Sequence, residues 1–268
     1  MCELFAMSAS RPQRVRYELD LFAREGGENH RNRDGWGILF AQDRDAYLFR
    51  EPDPAASSEL AGMVVRNEHA CKHLMAHVRR ATAGGPALAN THPFDRVVHG
   101  RRHAFAHNGE LPGIETRDDT RDLLAQRIGD TDSELAFLLL IQRLQQASPG
   151  DPSARFQMFT RFADEMRELG SANFLFFDGE RLFVHADRRR FETEEGLSER
   201  REPGLTIRSF DESHQGHHWH TPGASIPNLS GPLHLFASVP LDDEGWEPLE
   251  RGAALVLKDG VIEAQRRG

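Results

Sequence analysis

A cysteine at the second position, Cys2, is the residue of this chain best placed to act as a nucleophile. It follows Met1, and removal of Met1 would leave a thiol and a free α-amine on one residue. The thiol can attack a carbonyl carbon, and the amine, with an unperturbed pKa of about 7.7–8.0, can accept the thiol proton. Because one cysteine is weak evidence alone, this prediction depends on what the other segments supply.

The segment His107-Asn108-Gly109 follows the apolar pair Phe105-Ala106, which is expected to lie in a strand that stops at Asn108. Asn-Gly after a strand is ordinarily a hairpin turn. The Asn108 side-chain amide and the Gly109 backbone N–H can also donate hydrogen bonds to one oxygen, as in an oxyanion hole for acyl transfer. The sequence leaves both interpretations open.

Two charged residues could hold a small zwitterion. Arg79 ends a predicted strand over residues 71–80 and could grip a carboxylate with two parallel hydrogen bonds, although most arginines are simply exposed. Asp132 starts a leucine-rich helix, where an acidic residue is also expected for capping, and it could meet an ammonium group. A molecule with an α-ammonium group, an α-carboxylate and a distal carbonyl would use all these groups, and glutamine is such a molecule.

The charge and composition of the chain limit the binding partners and the cellular compartment that we expect for it. The formal net charge is −9, from 33 basic and 42 acidic residues, which argues against nucleic acid and anionic membranes as partners. Arg188-Arg189-Arg190 precedes several glutamates and is interpreted as an exposed mixed-charge face. Two cysteines, Cys2 and Cys71, favour a reducing compartment, the cytoplasm. We find no signal-peptide pattern and no apolar run near the ~18 residues of a membrane span.

Two histidine-containing segments are candidate metal ligands. His69-x-Cys71-x-His73 would place three ligands on one strand face, and His214 to His220 contains four histidines. Alternating histidines on a strand are more often coincidental, and the chain lacks the Cys-x-x-Cys and His-Glu-x-x-His patterns. We therefore expect no metal and no other cofactor, and we interpret Cys71 as a structural thiol.

The order of the predicted elements indicates an α+β protein. Strands at both ends of the chain flank two central helices, predicted over 132–146 and 156–169. Asp178-Gly179 predicts a hairpin turn between two apolar strands. Ser10-Arg11-Pro12 predicts the start of a helix, and residues 211–232 are predicted to form a loop.

Six segments occur in the order and with the spacing of a known family. The chain resembles the class II glutamine amidotransferases of the N-terminal-nucleophile hydrolase superfamily, and in particular their short, stand-alone, YafJ-like members and ergothioneine-pathway amidohydrolases. The matching segments are Met1-Cys2, Asp34-Gly35-Trp36-Gly37, His77-x-Arg79-x-Ala81-Thr82-x-Gly84, Asn90-Thr91-His92-Pro93, His107-Asn108-Gly109 and Thr131-Asp132-Ser133-Glu134. The resemblance implies one domain over residues 2–268, with a four-layer αββα sandwich of two antiparallel sheets flanked by helices.

The resemblance also implies a reaction. Cys2 would attack the side-chain amide of glutamine, or of a γ-glutamyl compound, and form a thioester with release of ammonia. Asn108 and Gly109 would stabilise the oxyanion. The carboxylate of the substrate would lie on Arg79 and its ammonium group on Asp132.

The same resemblance implies that Thr82 and His92 line the pocket. The chain has Ala83 where some relatives with a synthetase domain have histidine, so the pocket differs from theirs at this position. Since nothing in the chain remains for a synthetase domain, ammonia would go to a separate synthetase or to solvent. The alternatives are a catalytically silent glutamine-binding or regulatory module on the same fold and, on weaker grounds, a metal-dependent hydrolase.

Overall fold

The computed structural model describes residues 2–17, 34–67, 69–80, 84–146, 151–193 and 196–268, which contain 18 strands and three α-helices. The strands are β1 (Glu3–Arg14), β2 (Arg16–Tyr17), β3 (Trp36–Gln42), β4 (Asp45–Glu51), β5 (Ala70–Val78), β6 (Phe94–Val98), β7 (Arg101–Glu110), β8 (Ser171–Phe177), β9 (Leu182–His185), β10 (Glu192–Thr193), β11 (Gly196–Leu197), β12 (Thr206–Phe210), β13 (Trp219–His220), β14 (Ala224–Ile226), β15 (Leu233–Ala237), β16 (Trp246–Pro248), β17 (Ala254–Lys258) and β18 (Val261–Arg266). The helices are α1 (Glu59–Asn67), α2 (Asp132–Gln146) and α3 (Pro152–Leu169), with 3-10 turns at Ala55–Ser57, Leu88–Asn90, Ile114–Thr116, Asp118–Gln126 and Glu212–His214.

Two large antiparallel sheets form the centre of the fold. The first has seven strands in the order β16-β12-β15-β1-β5-β3-β4, and the second has six in the order β18-β17-β9-β8-β7-β6. Strand β1 is the central strand of the seven-stranded sheet, paired with β15 on one side and β5 on the other. The residue just before β1 is therefore held between two neighbouring strands.

The two sheets pack face to face over a shared apolar core. Leu4, Leu39 and Met75 from the first sheet meet Leu175 from the second in one cluster of buried residues. These residues alternate with outward-facing ones along each strand, because successive side chains of a strand point to opposite faces. Burial of both faces explains the near-continuous apolar sequences of these strands.

Outer layers cover both sheets, as the predicted αββα sandwich requires. Helices α2 and α3 pack on the six-stranded sheet, where Phe137 of α2 stacks on Phe105 of β7 with ring centroids 5.5 Å apart. The seven-stranded sheet is covered by α1 and by a small sheet with the order β13-β14-β2. No helix among the described residues has the length and apolar character that a bilayer span requires.

Several predicted elements are confirmed. Helix α2 has the predicted bounds, and its first turn is capped by the Thr131 hydroxyl, which accepts a hydrogen bond from the Glu134 backbone N–H at 3.2 Å. The hairpin at Asp178-Gly179 joins β8 to β9, and Gly179 has a φ of 84° that suits its position in the turn.

Other predictions are wrong. The helix expected from Ser10 is absent over residues 10–17, because β1 continues to Arg14 and a shift of register between Ser8 and Gln13 accommodates Pro12. The remainder of that predicted helix lies outside the described residues. The loop expected over 211–232 contains β13 and β14, since β14 pairs with β2.

The Asn108-Gly109 pair is not a turn but part of β7, which continues to Glu110. At Gly109 a Cβ atom would lie 1.8 Å from the backbone oxygen of Ser171 in β8. Glycine is therefore needed here because two strands approach closely. The local sequence alone does not distinguish such a glycine from one in a turn.

Charged side chains join the two sheets along one side. Arg102 of β7 contacts Asp45 of β4 at 2.6 Å and Asp95 of β6 at 2.5 Å. The Arg102 backbone N–H also donates to the Arg44 oxygen at 2.8 Å, next to β4. These contacts lie where β4 and β6 form the edges of their respective sheets.

Candidate active site

Cys2 lies at the start of the central strand, where β1 runs beside the end of β5. Glu3 is in register with Val78, so Cys2 lies beside the residues that follow β5. The Cys2 Sγ accepts a hydrogen bond from the Arg80 backbone N–H and donates one to the Arg80 oxygen, both at 3.2 Å. The thiol is thus placed by backbone groups of one neighbouring residue.

A buried ion pair fixes the residue next to Cys2. The Arg189 guanidinium donates two hydrogen bonds to the Glu3 carboxylate, at 2.9 and 2.7 Å, and a third to the Ser238 oxygen at 2.5 Å. The Ser238 hydroxyl donates to Glu3 at 2.5 Å and accepts from the Leu4 N–H at 2.9 Å. Glu3 is 7% exposed and Arg189 4% exposed, so the interpretation of Arg189 as part of an exposed charged face is wrong.

The amide of Asn108 approaches Cys2 from the second sheet. Asn108 is on the same face of β7 as Ala104 and Ala106, which belong to the core between the sheets. Its Nδ2 donates to the Cys2 backbone oxygen at 2.5 Å. The Asn108 backbone oxygen accepts from Asn173 Nδ2 at 2.9 Å, which anchors β7 to β8 at this level.

A cleft opens at the Cys2 thiol, with an empty volume of ≈ 480 Å³. Arg200 on its wall forms an ion pair with Glu110 at 2.6 Å. The walls come from residues far apart in the sequence, mainly Cys2, Arg80, Asn108, Gly109, Arg190 and Arg200. The cleft therefore combines a thiol, two candidate oxyanion donors and several guanidinium groups.

The protonation of the thiol is controlled by its surroundings. Although Cys2 is partly exposed as a residue, burial of the thiol group raises its pKa above the ordinary value for cysteine. The hydrogen bond from the Arg80 N–H acts in the opposite direction and lowers it. Because the thiolate is the reactive form, a thiol in this position needs a nearby base. By contrast, Cys71 is buried in the core, and its burial raises the thiol pKa to about 12.

Arg79 lies next to this cleft but is not among the residues that line it. It is 3% exposed, and its guanidinium donates to the backbone oxygens of Asp34 at 3.2 Å, Gly85 at 3.2 Å and Gly84 at 3.0 Å. These bonds join the segment before β3 to the segment that follows β5. Arg80, the next residue, lines the cleft instead and was not predicted as a site residue.

Asp132 lies in a second cleft that shares Glu110 with the Cys2 cleft. This cleft has an empty volume of ≈ 980 Å³ and is also lined by the carboxylates of Glu115 and Asp130. Asp132 Oδ2 accepts from the Leu111 N–H at 2.6 Å, so the start of α2 is tied to the chain that leaves β7. Four acidic residues and one basic residue, Arg127, line this cleft, so its net charge favours a cation.

His92 is a buried member of a group of three histidines beneath the Cys2 end of the sheets. Its ring centroid lies 4.2 Å from that of His77 and 4.4 Å from that of Phe94. His107 of β7 contacts the Ser133 hydroxyl and the Ser171 oxygen, each at 2.9 Å. Thr82, the other predicted pocket residue, lies outside the described residues.

The candidate metal ligands on β5 are separated in the structure. Cys71 belongs to the core beneath α1, whereas the His73 ring packs against Phe177, between the sheets, with centroids 5.6 Å apart. The His69 ring stacks on Tyr47 with centroids 5.0 Å apart. Among the described residues, no three His, Cys, Asp or Glu side chains come together as a metal site.

The fold and the site together indicate the class of this protein. Its two antiparallel sheets are stacked, and the side-chain amide of Asn108 lies beside a cysteine at the start of the central strand. The family model described as "Glutamine amidotransferases class-II" matches residues 1–267. The chain therefore belongs to the class II glutamine amidotransferases.

Particular relatives agree with this assignment. YafJ of Escherichia coli (strain K12), whose name assigns it to the glutamine amidotransferases, is 35% identical over 188 residues, which are 69% of this chain and 72% of YafJ. Protein MJ1515 of Methanocaldococcus jannaschii is 31% identical over 262 residues, covering 98% of this chain and 70% of that protein.

Solved structures show the same fold. A crystal structure of a predicted glutamine amidotransferase from Pseudomonas aeruginosa has a TM-score of 0.72 and 27% identity, and the match covers 98% of this chain and 100% of that one. The glutamine phosphoribosylpyrophosphate amidotransferase of Bacillus subtilis has a TM-score of 0.58 at 17% identity, a likeness of fold alone. That match covers 99% of this chain but 49% of the longer enzyme.

We expect that replacing one member of the Glu3–Arg189 pair lowers the stability of the fold more than replacing both members would suggest. Arg189→Met leaves a buried carboxylate without its partner and should lower the free energy of unfolding by about 3–5 kcal/mol. The double variant Glu3→Met/Arg189→Met should lose much less than the sum of the two single losses. Urea unfolding of the four proteins measures this coupling.

The matched control for this cycle is Arg121→Met, since Arg121 pairs with Asp118 in an exposed position, at side-chain exposures of 73% and 94%. An exposed pair of this kind should contribute ~1 kcal/mol or less. The buried pair would be unimportant for stability if the losses in free energy of unfolding from Glu3→Met and Arg189→Met were additive and no larger than the loss from Arg121→Met.

Buried histidines predict a loss of stability in mild acid. Burial lowers the pKa of His77 to about 3 and that of His185 to about 4. Below about pH 6.5 the unfolded chain takes up protons at these residues and the folded chain does not, so the free energy of unfolding falls as the pH falls. His77→Gln should reduce the fall between pH 7 and pH 5 by about 1–2 kcal/mol, as measured by urea unfolding at both values. An unchanged pH dependence would show that His77 does not remain neutral in the fold.

Proposed function

We propose that this protein cleaves the side-chain amide of glutamine, or of a γ-glutamyl compound, through a thioester on Cys2. Membership of the class II glutamine amidotransferases supports the substrate class. The observation that carries the proposal is that the Cys2 thiol opens into a cleft lined by Asn108 and Gly109. A thiol beside two hydrogen-bond donors for an oxyanion is typical of enzymes that catalyse acyl transfer.

The proposed reaction begins with removal of Met1. The free α-amine of Cys2 accepts the thiol proton, and the sulfur attacks the amide carbon of the substrate. The tetrahedral intermediate collapses with transfer of the proton to the departing nitrogen, so ammonia or an amine leaves and a γ-glutamyl thioester remains. A water molecule then attacks the thioester carbonyl, which releases glutamate and restores the thiol.

The need for the amine follows from the raised pKa of the thiol. A thiol that remains protonated near neutral pH reacts slowly, because the thiolate is the nucleophile. An amine on the same residue is always within reach of the sulfur, and it can later return the proton to the leaving group.

Asn108 and Gly109 are proposed as the oxyanion donors. The Asn108 Nδ2 carries two N–H groups, and one of them contacts the Cys2 oxygen at 2.5 Å. The other can donate to the oxyanion that forms beside the sulfur. Gly109 would add its backbone N–H, which is accessible because this residue has no side chain.

We further propose that Arg79 binds the α-carboxylate of the substrate and Asp132 its ammonium group, with Thr82 and His92 completing the pocket. For Arg79 this requires the guanidinium to exchange its contacts with the carbonyls of Asp34, Gly84 and Gly85 for contacts with the ligand. Asp132 would need a smaller change of contacts than Arg79, since the cleft in which it lies is already acidic and shares Glu110 with the cleft at Cys2.

The proposed unit is one domain over residues 2–268, and the released ammonia would go to solvent or to a separate synthetase. A catalytically silent glutamine-binding module is the other class of function for this fold. Covalent labelling and turnover distinguish the two, because a silent module would bind glutamine without releasing ammonia.

A γ-glutamyl electrophile such as diazo-oxo-norleucine should form a single adduct on Cys2 of a chain that lacks Met1. Intact-mass and peptide mass spectrometry would detect this adduct, which should be absent in Cys2→Ala and retained in the control Cys71→Ala. Cys71 should not react, because it is buried and the pKa of its thiol is about 12. An adduct on Cys71, or none on a chain that begins with Cys2, would refute the proposal.

Asn108→Ala should lower kcat for ammonia release by about 10²–10³, the effect of removing one oxyanion donor. The KM should change little, because the lost contact stabilises the transition state more than the bound substrate. A coupled assay for ammonia and glutamate measures both constants, and thermal unfolding verifies that the variant is folded. A folded Asn108→Ala protein with normal kcat would remove Asn108 from the mechanism.

A further inference from the structure

Two neighbouring residues of β7 contact different parts of the proposed site. Successive side chains of a strand point to opposite faces of the sheet. The Asn108 amide therefore donates to the Cys2 oxygen on one face, while His107 lies on the face that α2 covers. His107 is 2% exposed, and its ring nitrogens reach the Ser133 hydroxyl of α2 and the Ser171 backbone oxygen of β8, each at 2.9 Å. The ring thus contacts the first turn of α2, which carries the proposed ammonium-binding residue.

The Ser171 oxygen determines which nitrogen of a neutral His107 ring carries the hydrogen. A carbonyl oxygen only accepts hydrogen bonds, so Nε2 is the donor at this contact. A neutral imidazole has one N–H group, so Nδ1 can only accept. Its partner is the Ser133 hydroxyl. When His107 is neutral, the single hydroxyl hydrogen of Ser133 is therefore directed at the ring.

The Ser133 hydroxyl has a second acceptor within reach. Its oxygen lies 3.2 Å from Oδ1 of Asp132, whose other carboxylate oxygen accepts from the Leu111 N–H at 2.6 Å. One hydroxyl hydrogen cannot serve both His107 and Asp132. When the ring takes up a proton, Nδ1 becomes a donor to the Ser133 oxygen, and the hydroxyl hydrogen is released to Asp132.

The surroundings of His107 control its protonation. Burial lowers the pKa of the ring below the ordinary 6.5 of histidine, so the ring is neutral near pH 7. Three carboxylates act in the opposite direction and raise this pKa: Asp132 of α2, Glu110 of β7 and Asp187 after β9. The other titratable neighbours are the rings of His77 and His92, and burial lowers the pKa of both.

We propose that His107 is a positioning residue for Asp132 and acts through the Ser133 hydroxyl. This inference rests on the proposed function, in which Asp132 binds the ammonium group of the substrate. Neutral His107 holds the hydroxyl hydrogen and leaves Oδ1 of Asp132 open to the ammonium group. Protonated His107 releases that hydrogen to Oδ1, where it competes with the ammonium group, and the charged ring repels the same group. The site therefore binds its substrate when the ring is neutral.

Titration calorimetry with glutamine tests this coupling in Cys2→Ala, which cannot form a thioester and so reports binding alone. The Kd should rise by up to about tenfold for each pH unit below the pKa of His107, because only the neutral form binds well. Adding His107→Gln should abolish this dependence, since an amide does not titrate. The matched control is His103→Gln, which replaces a buried histidine on the same face of β7 that contacts the Arg101 oxygen. This control should keep the full dependence.

Substitution of Ser133 separates the effect of the hydroxyl from that of the charge on the ring. Ser133→Ala removes the hydrogen that changes partners, so the Kd should depend on pH several-fold less, although His107 still titrates. At about pH 7 the Kd should change less than about twofold, because the hydroxyl is then bonded to the ring and not to the ligand. Ser133→Thr keeps a hydroxyl and should retain the pH dependence.

Nitrogen NMR of isotope-labelled histidine gives a readout that needs no ligand, and His107→Gln identifies the signals of this ring. Neutral His107 should carry its hydrogen on Nε2. Asp132→Asn should lower the pKa of His107, because it removes a neighbouring negative charge. Addition of glutamine should lower the same pKa, since protonation and binding are reciprocally linked.

Three outcomes would overturn the proposal. They are a hydrogen on Nδ1 of neutral His107, an unchanged His107 pKa in Asp132→Asn, and an undiminished pH dependence of the Kd in Ser133→Ala. The last would show that the ring acts through its charge alone. Failure of glutamine to bind at every pH would instead refute the proposed function, and the two NMR measurements would then decide whether His107 is linked to Asp132.

Discussion

The buried ion pair between Glu3 and Arg189 is the contact on which the geometry of the Cys2 site depends. Glu3 is the first residue of the central strand, and its carboxylate accepts two hydrogen bonds from the Arg189 guanidinium, which follows β9 of the other sheet. The pair adds to the backbone pairing of β1, to the hydrogen bond from Asn108 to the Cys2 oxygen and to the hydrogen bonds between the Cys2 thiol and Arg80. The proposed role of Cys2 as a nucleophile requires more constraint than a frayed strand end supplies.

The same end of the fold collects groups from four parts of the chain. The thiol comes from the residue before β1, and the backbone of Arg80 from the segment after β5. The Asn108 amide comes from β7, and the arginines of the cleft wall from the segment after β9. None of these segments forms a site alone. Their convergence follows from stacking two antiparallel sheets with β1 and β7 facing one another, so the sandwich itself brings the Cys2 thiol and the Asn108 amide together.

Local sequence patterns correctly predicted those elements that are stabilised by interactions between residues close in the sequence. Helix α2 has a hydroxyl cap and a dense leucine sequence, and its bounds were predicted correctly. The strand end predicted at Asn108-Gly109 and the exposure predicted for Arg189 were wrong, because both depend on chain segments that meet only in the fold. Arg189 is 186 residues from Glu3, and the carbonyl that requires glycine at 109 belongs to Ser171. The family resemblance selected Cys2 and Asn108, 106 residues apart, which are in contact. It did not reveal that Arg79 binds backbone carbonyls.

The ion pairs of Arg102 have a consequence for how molecules of this protein meet one another. Strands β4 and β6 are sheet edges with backbone groups that another chain could pair with. Arg102 with Asp45 and Asp95 places compact, opposite charges along both edges at once. A strand from a second molecule that added to either edge would lie beside these charges, and their loss of water would cost free energy. The contacts that join the two sheets therefore also disfavour edge-to-edge aggregation of the folded chain.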